Sequence, residues 1–319
     1  MTLWLRGRRA VGAAVTAFAL CVGPVATASG HSSAVVTPRP TLRSLVAPGA
    51  KIVMVAEGLA FAEGPVWIAG KGLIVSDVLA DNVVVFDAAG KKRILRQPSD
   101  HANGHALDMS GAVVEADGGD AGNHRGVIAR LAGNGSATVL ASAFHGKRFN
   151  SPNDLIVKRD GTIWFTDPDF GKNSAVAGIG FNGVYRLDPR TKAMTAVINA
   201  LPAPNGIAFS PDEKTLYVSD SVTNQVLAFP LARDGSVGPK RVLGIGCDGI
   251  GVDEHGDVWA STCGGNIEIT SPRGKRIGAI AFPGTTTSLA WGGAGGKTLF
   301  VTTQEGGVYR LALTVRGTR

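Results

Sequence analysis

Hydrophobic and polar positions along the chain fall into one short phrase that returns six times. Its copies are EGPVWIAGKGLIVSD, NGHALDMSGAVVEAD, NDLIVKRDGTIWFTD, NGIAFSPDEKTLYVSD, DGIGVDEHGDVWAST and TSLAWGGAGGKTLFVTT, beginning at Glu63, Asn103, Asn153, Asn205, Asp248 and Thr287. Each holds a short apolar strand, a turn of Gly, Asp, Ser, Pro or Lys type, and a second strand, which is the pattern of a β-hairpin. Further strand-like runs follow inside the units: NVVVFDA then KKRILR, GVIARLA then ATVLA, GVYRLD then MTAVIN, QVLAFPL then RVLG. Four short strands per unit, recurring at about 40–50 residues, predict an all-β six-bladed β-propeller. The last unit offers three strands, ending in GVYRLAL, and the orphan strand KIVMVA precedes the first. Pairing that N-terminal strand with the last blade would close the ring and leave no sheet edge open to aggregation.

The flanks follow other rules. In residues 1–28, Arg6, Arg8 and Arg9 precede the apolar run AVGAAVTAFALCVGPVATA, and Ala26-Thr27-Ala28 fits a small-residue cleavage pattern. This predicts a signal peptide and a secreted or periplasmic protein, with the Arg8-Arg9 pair also permitting twin-arginine export. Residues 29–48, rich in Ser, Thr and Pro, read as a flexible lead-in, and 49–315 as the propeller. The formal charge of +7 includes the three leader arginines, and no Lys/Arg cluster follows them. Nucleic acid and a membrane, once the signal is cleaved, are therefore not expected as partners, and a monomer is expected. With 18% charged and 44% hydrophobic residues the chain is too apolar to be disordered. Cys21 leaves with the leader. In an exported protein the remaining Cys247 and Cys263 suggest a disulfide, with two buried thiols as the alternative.

Antiparallel pairing puts the start of the first strand and the end of the second at the same end of a blade. Two polar slots per blade then share one face. The first slots hold Glu63, Asn103, Asn153, Asn205, Asp248 and Thr287; the second hold Asp77, Asp117, Asp167, Asp220, Thr262 and Thr303. Singly, each Asp or Asn reads as a turn former bonded to its own backbone. Converging at the channel mouth, carboxylates repel, and a cation is the least costly compensation. Glu63 and Asp220 would bring two charges and Asn153 and Asn205 two neutral oxygens. That set suits Ca²⁺ first, with Mg²⁺, Mn²⁺ or Zn²⁺ also accommodated. His105 lies two residues beyond Asn103, at the depth where other blades have Leu155 and Ile207. It reads either as a buried imidazole satisfied by a neighbour or as a catalytic group sharing proton transfer with Asp220.

EGPVW, FNSPNDL with WFTDP, PNGIAFSPDEKTLYVSDS, DGIGVDEHGDVW and FPGTTTSLAWGGAGGKTLFVT, in that order from about Glu57 to Leu311, resemble the SMP-30/gluconolactonase family, which includes regucalcin-like proteins. The resemblance implies a six-bladed propeller with a divalent ion in its channel and hydrolysis of sugar lactones or related small lactones. Matched motif by motif, it makes Glu63, Asn153, Asn205 and Asp220 metal ligands and gives Asp220 acid/base duty; Asn103 and Asn153, in the ring of first slots, are expected to bind substrate. Asn103-Gly104-His105 departs from the NGL of relatives, and TTTSLAWGG lacks the Asn or Cys often found before the last blade. The expected function is metal-dependent lactone hydrolysis, with the ion polarising the carbonyl. The alternative is a non-catalytic exported propeller that binds a ligand or protein around a structural ion. The chain has no G-x-S-x-G, H-E-x-x-H or C-x-x-C, so the commonest serine-hydrolase and zinc signatures are absent.

Overall fold

The computed structural model describes residues 42–120, 125–170 and 178–318. The expected signal peptide and the lead-in as far as residue 41 lie outside the described residues. Six four-stranded antiparallel sheets follow one another along the chain, as the repeated phrase predicts. Blade 1 comprises Ala62–Ile68, Gly72–Asp77, Asn82–Phe86 and Lys92–Arg96, and blades 2 to 5 repeat the order with inner strands Ala102–Leu107, Leu155–Val157, Pro204–Phe209 and Ile250–Val252. Blade 6 is Thr286–Gly292, Thr298–Thr303 and Val308–Ala312, completed by the N-terminal strand Val53–Ala56. There Val53 pairs with Arg310 and Met54 with Tyr309, which closes the ring.

The middle strands are buried along their whole length because each blade is covered on both faces by its neighbours, so apolar side chains of one sheet meet those of the next. Val114 and Ile128 of blade 2 share a core with Leu155, Phe165 and Tyr185 of blade 3, and Trp164 of blade 3 packs with Phe209, Val218 and Leu227 of blade 4. Each fully buried side chain of this kind contributes roughly 1.5–3 kcal/mol of apolar burial. The segment beginning at Leu42 corrects one expectation. Leu42, Leu45 and Val46 are buried with Trp259, Ile280, Leu299 and Leu311, and Val46 bridges to Leu313. The last part of the expected lead-in is thus a strap on the closing blade.

At one end of the propeller the inner strands begin, and here they crowd. Gly104 donates from its backbone to the Asn153 carbonyl at 2.8 Å and Gly249 to that of Thr287 at 2.9 Å, joining blade to blade. A Cβ on Gly64 would lie 1.9 Å from the Asn103 carbonyl oxygen, and one on Gly249 would lie 2.3 Å from Ser288 Oγ. Gly64 also takes φ +49°, so both space and backbone conformation call for glycine there. The result is a narrow neck formed by Gly64, Gly104, Asp154, Gly206, Gly249 and Ser288.

Candidate functional site

The neck separates the starts of the inner strands from the rest of the channel. Above it stand the six first-slot residues. Below it a cavity of about 400 Å³ is lined by the later parts of the same strands, including Trp67, Leu107, Ile156, Val252, Leu289 and Trp291.

On the ring side, Glu63 is buried and Asp248 nearly so. Burial, then the charges of Asp248 and, more weakly, Asp154, hold the Glu63 carboxyl well above its usual range, while the Gly64 amide, donating to Oε2 at 3.0 Å, acts the other way. Asp248 is pushed up to about 7 by burial first and Asp154 second, against a hydrogen bond from the Asn205 side chain. Among the described residues no Lys or Arg forms an ion pair with either. Asn205 also donates from Nδ2 to Ser221 Oγ at 3.1 Å, and no donor to its amide oxygen is seen among the described residues. Side chains of Asn103 and Asn153 make no hydrogen bond among the described residues. In the sixth slot Thr287 is occupied structurally, donating to the Ala62 carbonyl at 2.7 Å.

Asp154 was not among the expected site residues. It fills the neck position that is glycine in blades 1, 2, 4 and 5 and serine in blade 6. Its two carboxylate oxygens accept from the amides of Leu155 at 2.8 Å and Ile207 at 3.2 Å, and burial raises its pKa to about 7. The departure from glycine is visible in the repeat once the position is known to face the axis.

Asp220 is placed elsewhere. Oδ2 accepts from the Ala203 amide at 3.0 Å, and Oδ1 from the amides of Val222 and Thr223 and from Thr223 Oγ1. Asp77 and Asp167 do the same in their blades, accepting from Ala60 and Phe61, and from Asn150 and Ser151. A residue at the end of a second strand lies one strand out from the axis, where it meets the amides of the incoming loop. Asp220 is such a clasp, with its lone pairs committed to backbone, and Asp248 is the second carboxylate that faces Glu63. The expected ligand and acid/base roles of Asp220 therefore do not fit its surroundings.

His105 sits below the neck, lining the cavity there with Asp154. Nδ1 is 2.7 Å from the Gly64 carbonyl oxygen, which can only accept, so Nδ1 carries a proton. Its Nε2 faces Glu115, and Asp220 is not among its partners. Cys247 and Cys263 are joined as a disulfide with Cα atoms 6.0 Å apart, on the loops that border the fifth slot.

Oxygen donors alone, two of them carboxylates without a cationic partner, fit a hard divalent ion. A lone buried carboxylate pair is costly, and these raised pKa values are the signature of that cost.

Comparison with known proteins agrees with this architecture. Residues 61–305 match the SMP-30/gluconolactonase/LRE-like region. A gluconolactonase of Zymomonas mobilis is 30% identical over 295 residues, covering 82% of this chain and 81% of that protein. The solved gluconolactonase of Xanthomonas campestris superposes with a TM-score of 0.78 at 31% identity, over 86% of this chain and 93% of that one. The calcium-binding protein regucalcin of Agrobacterium tumefaciens shares the fold at a TM-score of 0.68 and 22% identity, over 83% and 94% of the two chains. With its propeller, its ordered motifs and these likenesses, the chain belongs to the SMP-30/gluconolactonase family.

Proposed function

We propose that this protein is a divalent-metal-dependent lactone hydrolase, as the gluconolactonases among its relatives suggest, acting at the ring above the neck. Glu63, Asp248 and the Asn205 amide oxygen would hold the ion. Such an ion supplies Lewis-acid polarisation of the lactone carbonyl and offsets the negative charge that develops on its oxygen. Asn103 and Asn153, whose amides have no partner among the described residues, would orient the substrate's oxygens. Asp154 is the group we assign to take a proton from the attacking water. Its pKa of about 7 matches a general base working near neutrality, where such a group contributes about 10²–10⁴-fold. Two backbone amides fix its carboxylate, so it does not have to reorganise during the reaction. The glycine neck and the apolar part of the cavity behind it limit water on that side. Export through the signal peptide is part of the proposal, and the disulfide suits an oxidising compartment.

The observation that carries this reading is the gathering of Glu63, Asp248 and Asp154 at one neck, with no Lys or Arg paired to any of them among the described residues. The test is hydrolysis of aldonolactones and of simple γ- and δ-lactones by metal-stripped protein, followed at constant pH, with Ca²⁺, Mg²⁺, Mn²⁺ and Zn²⁺ restored in turn. Activity that returns with at least one ion is expected. Full activity in the stripped protein, or none on any lactone with every ion, would overturn it.

A further inference from the structure

Just below the neck, each blade pairs one residue of its first strand with one of its second. In blades 3 to 6 the pairs are apolar: Leu155 with Phe165, Ile207 with Val218, Ile250 with Ala260, and Leu289 with Val301. Blade 2 has His105 with Glu115 instead. Both side chains are 0% exposed, and Nε2 of His105 lies 3.7 Å from Oε2 of Glu115. Neither atom has a hydrogen-bond partner among the described residues. With the Nδ1 proton committed to the Gly64 carbonyl, two lone pairs would confront each other in a dry interior unless one further proton lies between them.

The surroundings decide where that proton rests. Glu115 Oε1 accepts from Arg96 Nη1 at 2.6 Å, so Glu115 is ion-paired on that side. Arg96 is itself anchored to Asp117 and Asp100, each at 2.8 Å. On its other side His105 faces the neck, with Asp154 nearest and Glu63 and Asp248 beyond. Arg96 is the one basic side chain in this array among the described residues, and it sits behind Glu115, away from the neck. A proton on Glu115 would waste its pairing with Arg96 and leave the neck carboxylates unopposed; a proton on His105 serves both sides.

We propose that Glu115, braced by Arg96, is a positioning residue that holds His105 as the doubly protonated imidazolium, placing a fixed positive charge under the channel neck. Arg96 is shared by Glu115, Asp117 and Asp100, while His105 and a divalent ion together would answer Glu63, Asp154 and Asp248. The charge state of His105 stands on its own geometry; its effect on turnover rests on the hydrolytic reading above. There the imidazolium offsets the carboxylates that crowd the reacting end, and Glu115 acts on the reaction only through it.

Two measurements test this on the full mature chain. The first needs neither metal nor substrate: ring ¹⁵N shifts of ¹⁵N-histidine-labelled protein, with the His105 signals assigned by their loss in His105→Gln. Both nitrogens of His105 should carry a proton in the wild type at pH 7, and Glu115→Gln should convert the ring to its neutral Nδ1–H form. A neutral His105 at pH 7 in the wild type would overturn the proposal. The second restores the apolar pair seen in other blades with the double variant His105→Leu/Glu115→Val. It should fold with an undiminished Tm and lose at least ~10-fold in kcat, as removal of a preorganised charge does. Glu115→Gln should show the same loss if the double variant misfolds, and Glu115→Asp should recover part of it. Normal kcat in a folded variant overturns the positioning role while leaving lactone hydrolysis intact. A wild type with no activity on any lactone sinks the hydrolytic reading instead, and the nitrogen shifts alone then judge the charge.

Discussion

The same six inner strands build both sides of the neck, yet the two sides gather different residues. Above the neck, Glu63, Asn103, Asn153, Asn205 and Asp248 present oxygens to the axis. Below it, Trp67, Leu107, Ile156, Leu289 and Trp291 supply the apolar part of a cavity that His105 and Asp108 also line. One or two positions along each strand separate the two environments, and the close glycine contacts mark the border. The difference teaches that the fold and the chemistry draw on different residues of one strand. Packing below the neck holds the blades together, and that rigidity lets the ring above it keep carboxylates too close for comfort. A loop-borne site would relax by letting those charges swing apart.

If this division is right, substitutions on the two sides should fail differently. The largest effect belongs to the ring: Asp248→Asn should reduce kcat/KM by ~10²-fold or more and release the ion, as loss of one of two charged ligands implies. Asp220→Asn should keep its metal, measured by elemental analysis after dialysis. Reversed outcomes for these two would restore Asp220 to the ring. Below the neck, Leu289→Ala should cost ~2–4 kcal/mol in denaturant unfolding through the cavity it leaves, with kcat on the best lactone unchanged. A fall in kcat of the folded variant would break the division. At the border, Gly249→Ala would bring a methyl within 2.7 Å of Ser288 Cα. A cost of ~1–3 kcal/mol is expected for such overpacking, together with a raised KM, since the neck must widen and carry Asp248 with it. An unchanged Tm would mean that the neck is softer than its contacts suggest.

The smallest effect lies in a turn of blade 5, at the far end from the ring. There Asp253 accepts from the amides of His255 and Asp257 and from the Trp259 indole. Burial first, and the charge of Asp253 second, raise Asp257 from 3.8 to about 6. An acid raised in this way binds its proton more tightly in the folded state. The stability it contributes is fully present below 3.8 and is lost as pH rises through about 6. Urea unfolding at pH 4.5 and pH 7 should show that loss in the wild type, and Asp257→Asn should make it smaller. Because the side chain is partly exposed, solvent screens the effect and it will be modest. Equal pH responses in both proteins would assign the loss to other groups.

The propeller itself was legible because a hairpin that recurs six times leaves little else to build, and the orphan strand at KIVMVA announced its own closure. What failed at the margin was Leu42 to Val46: three apolar residues amid Ser, Thr and Pro have no period, and only the surface of blade 6 gives them a place. In the site, Glu63 and Asn205 could be read from their slots. The choice between Asp220 and Asp248 could not, because one stands before a strand and the other ends one on the same face. Which of them points at the axis depends on whether the strand is first or second from it. Asp154 was hidden for a related reason, lying one position past a slot that seemed complete with Asn153. His105 stood out in an apolar place, but its partner Glu115 depends on a register that shifts between Ala102 and His105, and no spacing rule reveals a bulge.

The pairing of Val53–Ala56 with Val308–Ala312 has a consequence for how the molecule comes into being. Residues some 250 positions apart must meet before the ring exists, and such closures are slow because the intervening chain surrenders so much freedom first. Until then blade 6 offers a bare strand to any passing chain. Once they have met, the two ends of the domain leave from neighbouring places, with the Thr314 amide bonded to the Leu45 carbonyl at 2.9 Å. A short peptide could therefore join them, and new termini could be opened at an exposed hairpin tip such as that near Arg190 without cutting a blade. In that permuted molecule every blade would consist of consecutive strands except the one newly opened, and the seam would have moved while the channel stayed where it was.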